Sequence, residues 1–133
     1  MIEWTDKFSV GVSTIDEEHK KLIDILNKAI IAFEHNDNIE ETKDILNDMI
    51  KYTSMHFLTE ETYMLKSKFT ECQSHRNEHL DFTNKTIMSY HDLISGDNQI
   101  ANKVLYYLKQ WFVNHIQVTD KKYIDCFKNN GLN

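Results

Sequence analysis

Proline is absent from the 133 residues of this chain, and only three glycines occur in it. Proline breaks helices and glycine weakens them, so a chain that nearly lacks both can form long uninterrupted helices. Turn-rich β structures rely on these two residues in their connections, and such folds are therefore disfavoured. Apolar side chains also recur at helical spacing along four long stretches. The chain is therefore expected to be all-α.

Polar turns divide these stretches, and they predict an extended arm over 1–13, helices at about 15–34, 39–66, 71–94 and 98–118, and a short tail helix over about 120–129. Possible capping boxes begin at Thr14, Asn38 and Thr70, and Gly96 marks a helix end. Because the connections are short, consecutive helices must be antiparallel neighbours. We predict an up-down-up-down four-helix bundle that forms a single domain over 1–133.

The overall charge and the cysteines restrict the compartment and the partners. A formal net charge of -6 disfavours nucleic acid or an anionic membrane surface as the main partner. No apolar run reaches the length of a membrane span, and the first residues lack the basic and apolar stretches of a signal peptide. Cys72 and Cys126 have no metal-like spacing. We therefore expect a cytoplasmic protein with two reduced thiols.

Titratable side chains occupy apolar stripe positions on all four predicted helices. Burying such groups without partners is costly, so their positions indicate that they belong to one functional site. A spacing of four residues places two of them on one helix face. The set is His19 on the first helix, His56 and Glu60 on the second, His75 and His79 on the third, and His115 and Asp120 at the end of the fourth.

The predicted topology brings this set to one end of the bundle, because the starts of the first and third helices lie beside the ends of the second and fourth. Imidazoles and carboxylates in this mixture suit two iron ions. Two metals held by seven protein ligands need bridging groups, and carboxylates bridge well. The five-residue step from His115 to Asp120 requires either an i to i+5 turn or a helix that ends there, and the sequence leaves both open.

The sequence says less about the residues that surround this set. Tyr123 follows Asp120 by three residues and is expected either to orient that carboxylate or simply to pack. Acidic residues next to the stripe, among them Glu18, Glu61 and Glu78, are expected to cap helices or to face solvent.

Four motifs, in order, resemble those of the hemerythrins, most closely the single-domain bacterial members (bacteriohemerythrins). They are SVGVSTIDEEHKKL at 9–22, HFLTEE at 56–61, HRNEH at 75–79 and WFVNHIQVTD at 111–120. The resemblance covers nearly the whole chain. It implies reversible dioxygen binding at a non-heme di-iron centre (Fe2+/Fe3+) with a bridging hydroxide or oxo group. The implied task is oxygen storage, transport or delivery, without catalysis.

The resemblance also implies a role for each residue of the set. One iron, coordinatively full, would be held by His75, His79 and His115. The other, with an open position for dioxygen, would be held by His19 and His56, and Glu60 and Asp120 would bridge both. An apolar pocket around the open iron is implied at Ile23, Phe57, Trp111 and Phe112. The family commonly carries leucine where this chain has Phe112, so a bulkier ring occupies that position.

Three other functions compete with this one. A sensor of oxygen, nitric oxide or redox state would need a separate signalling partner, because the bundle occupies the whole sequence given. Ferritin-like oxidases use Glu-x-x-His pairs, which this chain lacks. Iron storage fits poorly because a two-ion site has low capacity. The expected partner is dioxygen, with nitric oxide and an unidentified oxygen-consuming or redox protein as further candidates.

Overall fold

The computed structural model describes residues 2–35, 39–96 and 98–132. Four long helices follow in chain order: α1 (Ser13–His35), α2 (Ile39–Lys66), α3 (Cys72–Ser95) and α4 (Asn98–Asn114). Each helix contacts the next, and α4 also contacts α1, so the four close into an antiparallel bundle. The described ranges contain no strand, and the all-α prediction is confirmed. No helix in these ranges combines the length and apolar character needed to cross a bilayer.

The start of α1 differs from the prediction. The helix begins at Ser13, so Thr14 lies inside it and the predicted cap at Thr14 is wrong. The carboxylate of Asp16 instead accepts hydrogen bonds from the backbone N–H of Val10 at 2.8 Å and from the hydroxyl of Ser9 at 2.6 Å. This side chain therefore fastens the preceding arm to the first turn of the helix.

The ends of α3 are set mainly by the backbone. The helix begins at Cys72 after Glu71, which makes no side-chain cap, so the predicted box at Thr70 is also wrong. At the other end Gly96 has a φ of 86°, in the left-handed region that glycine adopts without strain, and its N–H bonds to carbonyls in the last turn. The third predicted cap, Asn38, lies outside the described residues.

The predicted fourth helix ends early, because α4 stops at Asn114 and gives way to a single wide turn over His115–Thr119. In this turn the N–H of Asp120 bonds to the carbonyl of His115, an i to i+5 pattern. It is a π-turn, and it resolves the alternative that the sequence left open. The extra residue rotates the Asp120 side chain back toward the face that His115 occupies.

The two terminal segments differ in their local structure from the prediction. The arm is not extended throughout, since Asp6–Phe8 forms a 3-10 turn that buries its phenylalanine. The amide side chain of Asn27 pairs with both backbone groups of Ile2 at 2.8 and 2.9 Å. The predicted tail helix is split into a 3-10 turn at Asp120–Tyr123 and α5 (Ile124–Asn129).

Two apolar clusters form the core. The larger, in the middle of the bundle, includes Leu22, Leu26, Leu46, Phe82 and Leu108. The smaller, where the arm and α5 pack on the bundle, consists of Val10, Val12, Ile15, Met64, Tyr123 and Phe127. On α1, His19 falls between Ile15 of the smaller cluster and Leu22 of the larger one. The titratable residues therefore lie at the junction of the two clusters, shielded from water on both sides.

Candidate metal centre

The seven side chains singled out in the sequence lie together at this junction, and none is more than 3% exposed. Their nitrogen and oxygen atoms form two groups, within each of which the atoms lie within 4.8 Å of one another. One group is Glu60, His75, His79, His115 and Asp120, and the other is His19, His56 and Glu60. Since Glu60 belongs to both, the two groups are adjacent.

The carboxylate of Glu60, on α2, directs its two oxygens to opposite sides. Its Oε1 lies 3.0 Å from Nε2 of His19 and 2.8 Å from Nε2 of His56. Its Oε2 lies 3.1 Å from Nε2 of His75 and 3.2 Å from Nε2 of His79. A carboxylate in this position has one oxygen available to each of two neighbouring cations.

The carboxylate of Asp120 repeats this division from the other side of the site. Its Oδ2 lies 3.2 Å from Nε2 of His19. Its Oδ1 lies 3.0 Å from Nε2 of His75 and 2.9 Å from Nε2 of His115. The π-turn makes this geometry possible, because a regular helix would rotate Asp120 away from His115.

Several of these close approaches are not hydrogen bonds. Nε2 of His79, Nε2 of His115 and both oxygens of Asp120 are buried and have no hydrogen-bond partner among the described residues. Buried polar atoms in proteins are nearly always paired, so four unpaired atoms in one place need an explanation. Two cations, one beside each oxygen of Asp120, would satisfy all four atoms, and nitrogen and oxygen donors in this mixture suit iron. The residues present therefore fit a two-metal centre.

The electrostatics of the site favour positive charge. Burial opposes protonation of His19, but the nearby carboxylates of Asp120 and Glu60 outweigh burial and raise its pKa to about 9. The same balance raises the pKa of His75 to about 10 and that of His115 to about 9. Despite burial, the surrounding histidines hold the pKa values of Glu60 and Asp120 well below their usual range. Metal ions can supply this positive charge in place of protons.

Glutamates on a neighbouring helix contact the Nδ1 atoms of three of the histidines, on the side of each ring that faces away from the site. The pairs cross successive helix boundaries: Glu18 Oε1 with His56 Nδ1 at 2.7 Å, Glu61 Oε2 with His79 Nδ1 at 3.3 Å, and Glu78 Oε1 with His115 Nδ1 at 3.3 Å. An Nδ1–H that donates outward leaves the Nε2 lone pair directed into the site. The expectation that these glutamates cap helices or face solvent is therefore wrong.

The sequence does contain a signal for these glutamates. Each is the immediate neighbour of a stripe residue at the depth of the site, as Glu18 is of His19, and Glu78 of His79. One residue is a rotation of roughly 100° around a helix, which moves a side chain from the inward stripe to the flank beside the next helix. An acidic residue at that position can reach the neighbouring helix's histidine. The pairing partner itself depends on how the helices pack.

Tyr123 is fully buried and packs in the core, as one of the two expectations had it, but its hydroxyl makes no hydrogen bond to Asp120. Its hydroxyl donates to Oε1 of Glu60 at 3.3 Å, so it supports that carboxylate and not Asp120. Its ring stacks on Phe127 at 4.1 Å and lies 5.6 Å from the ring of His75. Burial and the two nearby carboxylates raise the pKa of this phenol well above its usual value, which keeps the hydroxyl proton in place as a donor.

The four apolar residues expected around an open iron are divided between the two histidine groups. The ring of Phe112 lies 6.4 Å from His19, edge-on. Ile23, one helical turn after His19, is buried. Phe57 and Trp111 instead stack on histidines of the larger group, Phe57 on His79 at 3.9 Å and Trp111 on His115 at 4.4 Å.

Comparisons with known proteins agree with this geometry. Residues 10–127 match the family model described as the hemerythrin HHE cation binding domain. The chain is 28% identical over 129 residues to a bacteriohemerythrin of Clostridium acetobutylicum, covering 94% of this chain and 100% of that protein. It is 29% identical over 120 residues to a hemerythrin-like protein of Naegleria gruberi, covering 90% and 88%. A crystal structure of wild-type hemerythrin superposes with a TM-score of 0.86 at 28% identity, covering 96% and 98%.

Proposed function

Because the chain belongs to the hemerythrin family, we propose that it binds dioxygen reversibly at a non-heme di-iron centre. The observation that carries this proposal is the orientation of its two buried carboxylates. Glu60 and Asp120 each direct one oxygen to either side of the site. Two bridging carboxylates define two adjacent cation positions, which a mononuclear site would not need.

The proposed ligands divide unequally between these positions. Three histidines serve the first, together with one oxygen of each carboxylate: His75, His79 and His115. Two histidines serve the second, together with the remaining oxygens: His19 and His56. The second position has fewer protein donors, which leaves room for an external molecule. A bridging hydroxide or oxo group is part of the proposal.

Two bound iron ions would supply the electrons that dioxygen accepts when it binds and returns when it leaves. The protein's own contribution is to hold and shield them. Glu18 and Glu78 fix the Nδ1 protons of their histidines, so each imidazole presents a neutral Nε2. The hydroxyl of Tyr123 orients Glu60. Burial of the whole set keeps bulk water from the site, and water would favour irreversible oxidation.

The proposed dioxygen pocket lies on the two-histidine side. Phe112 and Ile23 supply apolar surface beside His19, and Phe57 and Trp111 close the neighbouring wall. An apolar wall suits a small uncharged ligand.

The same proposal makes the protein an oxygen binder for storage, transport or delivery rather than an enzyme. The donor set is rich in histidine and poor in carboxylate, which distinguishes it from ferritin-like oxidases. Cys72 and Cys126 are free thiols, which supports a reducing compartment, and we include the cytoplasm in the proposal.

An absorption spectrum recorded with and without oxygen, on protein of measured iron content, tests this function. We expect two irons per chain and a spectral change that reverses each time oxygen is removed. His56→Ala should abolish the reversible change. His91→Ala, which alters an exposed histidine on α3, should retain it. Continuous oxygen consumption with a reductant, or a single iron per chain, would contradict the proposal.

A further inference from the structure

A cleft of about 480 Å³ lies between α1 and α2 on the outer surface of the bundle. Its floor is mainly apolar and is formed by Ile25, Ile45, Tyr52 and Met55. Met55 is 43% exposed and therefore accessible to a ligand from solvent. The volume lies within the range of roughly 300–1,000 Å³ that is common for small-molecule sites. None of the proposed metal ligands lines this cleft.

The rim of the cleft is basic in a protein that is acidic as a whole. Three lysines line it, Lys21, Lys28 and Lys51, against one carboxylate, Asp48. The formal net charge of the chain is -6, so this surface differs in sign from the molecule's average. Such a local reversal of charge favours an anion over a cation or a neutral molecule.

These three lysines also differ from neighbouring lysines in their pairing. Lys20 and Lys43, on the same two helices, each bridge a glutamate of their own helix at 3.0 Å. Among the described residues no carboxylate lies within ion-pair distance of Lys21, Lys28 or Lys51. Their ammonium groups therefore remain available to a ligand at the rim.

We propose that this cleft binds a small amphipathic carboxylate, such as a free medium-chain fatty acid. The apolar tail would lie on the floor, and the carboxylate would meet the lysines at the rim. The floor runs along α2 from Ile45 to Met55, a separation of ten residue steps and therefore only about 15 Å at 1.5 Å per step. That length suits a single short chain better than a docked protein helix. This site is independent of the proposed oxygen site.

Calorimetric titration of the iron-loaded protein tests the proposal, with octanoate as the probe at concentrations below micelle formation. We expect saturable binding of one octanoate per chain. Uncharged octanol and cationic octylammonium have the same tail, and they should bind at least about tenfold more weakly if two or more lysines contribute. Raising the salt concentration should weaken octanoate binding because the lysines are exposed.

Variants locate the site. The double variant Lys28→Gln/Lys51→Gln should weaken octanoate binding by roughly fivefold or more, whereas Lys103→Gln, an exposed lysine on α4, should leave it unchanged. Met55→Asp adds a negative charge to the floor at an exposed position, so the fold should tolerate it and octanoate should be lost. Circular dichroism of each variant verifies the fold.

Four results would overturn the proposal. Equal affinities for octanol and octanoate would show that the lysines do not contribute and that the cleft acts only as an apolar patch. Equal effects of the double variant and of Lys103→Gln would place the carboxylate elsewhere. Binding to vesicles of anionic lipid without binding to octanoate would assign the surface to a membrane. A doubling of mass in sedimentation that the Met55→Asp variant abolishes would assign it to a second copy of the chain.

Discussion

Replacing Glu18 with glutamine should selectively weaken the metal position formed by His19 and His56. The Glu18 carboxylate is only 12% exposed and holds Nδ1 of His56 at 2.7 Å, the shortest of the three outer glutamate contacts. Glutamine keeps the shape and one acceptor oxygen but removes the negative charge. The substitution therefore tests the charge of the outer partner and leaves the packing nearly unchanged.

The size of the effect follows from this contact. Loss of an outer partner of a ligating histidine typically costs about 10- to 100-fold in metal affinity. Since the Glu18 contact is short and mostly buried, we expect at least about tenfold, or about 1.4 kcal/mol. The equivalent contact of Glu78 is longer, at 3.3 Å, and its side chain is 37% exposed. Glu78→Gln should therefore have a smaller effect.

The assay is anaerobic titration of the metal-free protein with ferrous ion against a competing chelator, which resolves the two binding steps. Glu17→Gln is the matched control, because that neighbouring side chain is 72% exposed and, within the described part of the chain, pairs only with Lys20 at the surface. Equal ferrous affinities for the Glu17 and Glu18 variants would refute the reasoning. Equal weakening of both steps would refute the assignment of His56 to one position.

Three further predictions concern iron content, the pocket and the arm. His75→Ala should leave fewer than two irons per chain by elemental analysis and lower the melting temperature, because buried partners lose their contacts; two retained irons would refute its role as a ligand. Phe112→Leu should change the autoxidation rate, followed by absorbance, at constant iron content, and an unchanged rate would remove this ring from the pocket. Asp16→Ala should lower the free energy of unfolding, measured in urea, by about 1–3 kcal/mol, because the backbone N–H of the buried Val10 loses its hydrogen-bond acceptor. Asp24→Ala, at an exposed position of the same helix, should cost far less.

The fold class and the candidate site could be predicted because they depend on spacing along the chain. Helical periodicity without proline predicted the helices, and a spacing of four placed His75 with His79 on one face. Short connections fixed the antiparallel order and hence which helix ends meet. The family resemblance noted in the sequence is confirmed by the matching family model. The roles of the individual ligands stay predictions.

Helix ends were predicted less well, because several polar residues compete for each cap. Thr14 and Thr70 matched the capping pattern, yet Asp16 fastens the start of α1, and backbone contacts set the start of α3. Which residue wins depends on where the arm and the preceding loop pack. That packing involves residues distant in sequence, so local patterns could not decide it.

The sequence by itself determined that this chain forms four long helices and that six titratable side chains, all of the set except Asp120, share their inward faces. Both follow from periodicity, a local property of the chain. Only the tertiary structure decided that a π-turn brings Asp120 onto the site, that Glu18 supports the histidine of another helix, and that Tyr123 serves Glu60. Each of these depends on the rotation and distance between neighbouring helices, which packing of the whole bundle sets.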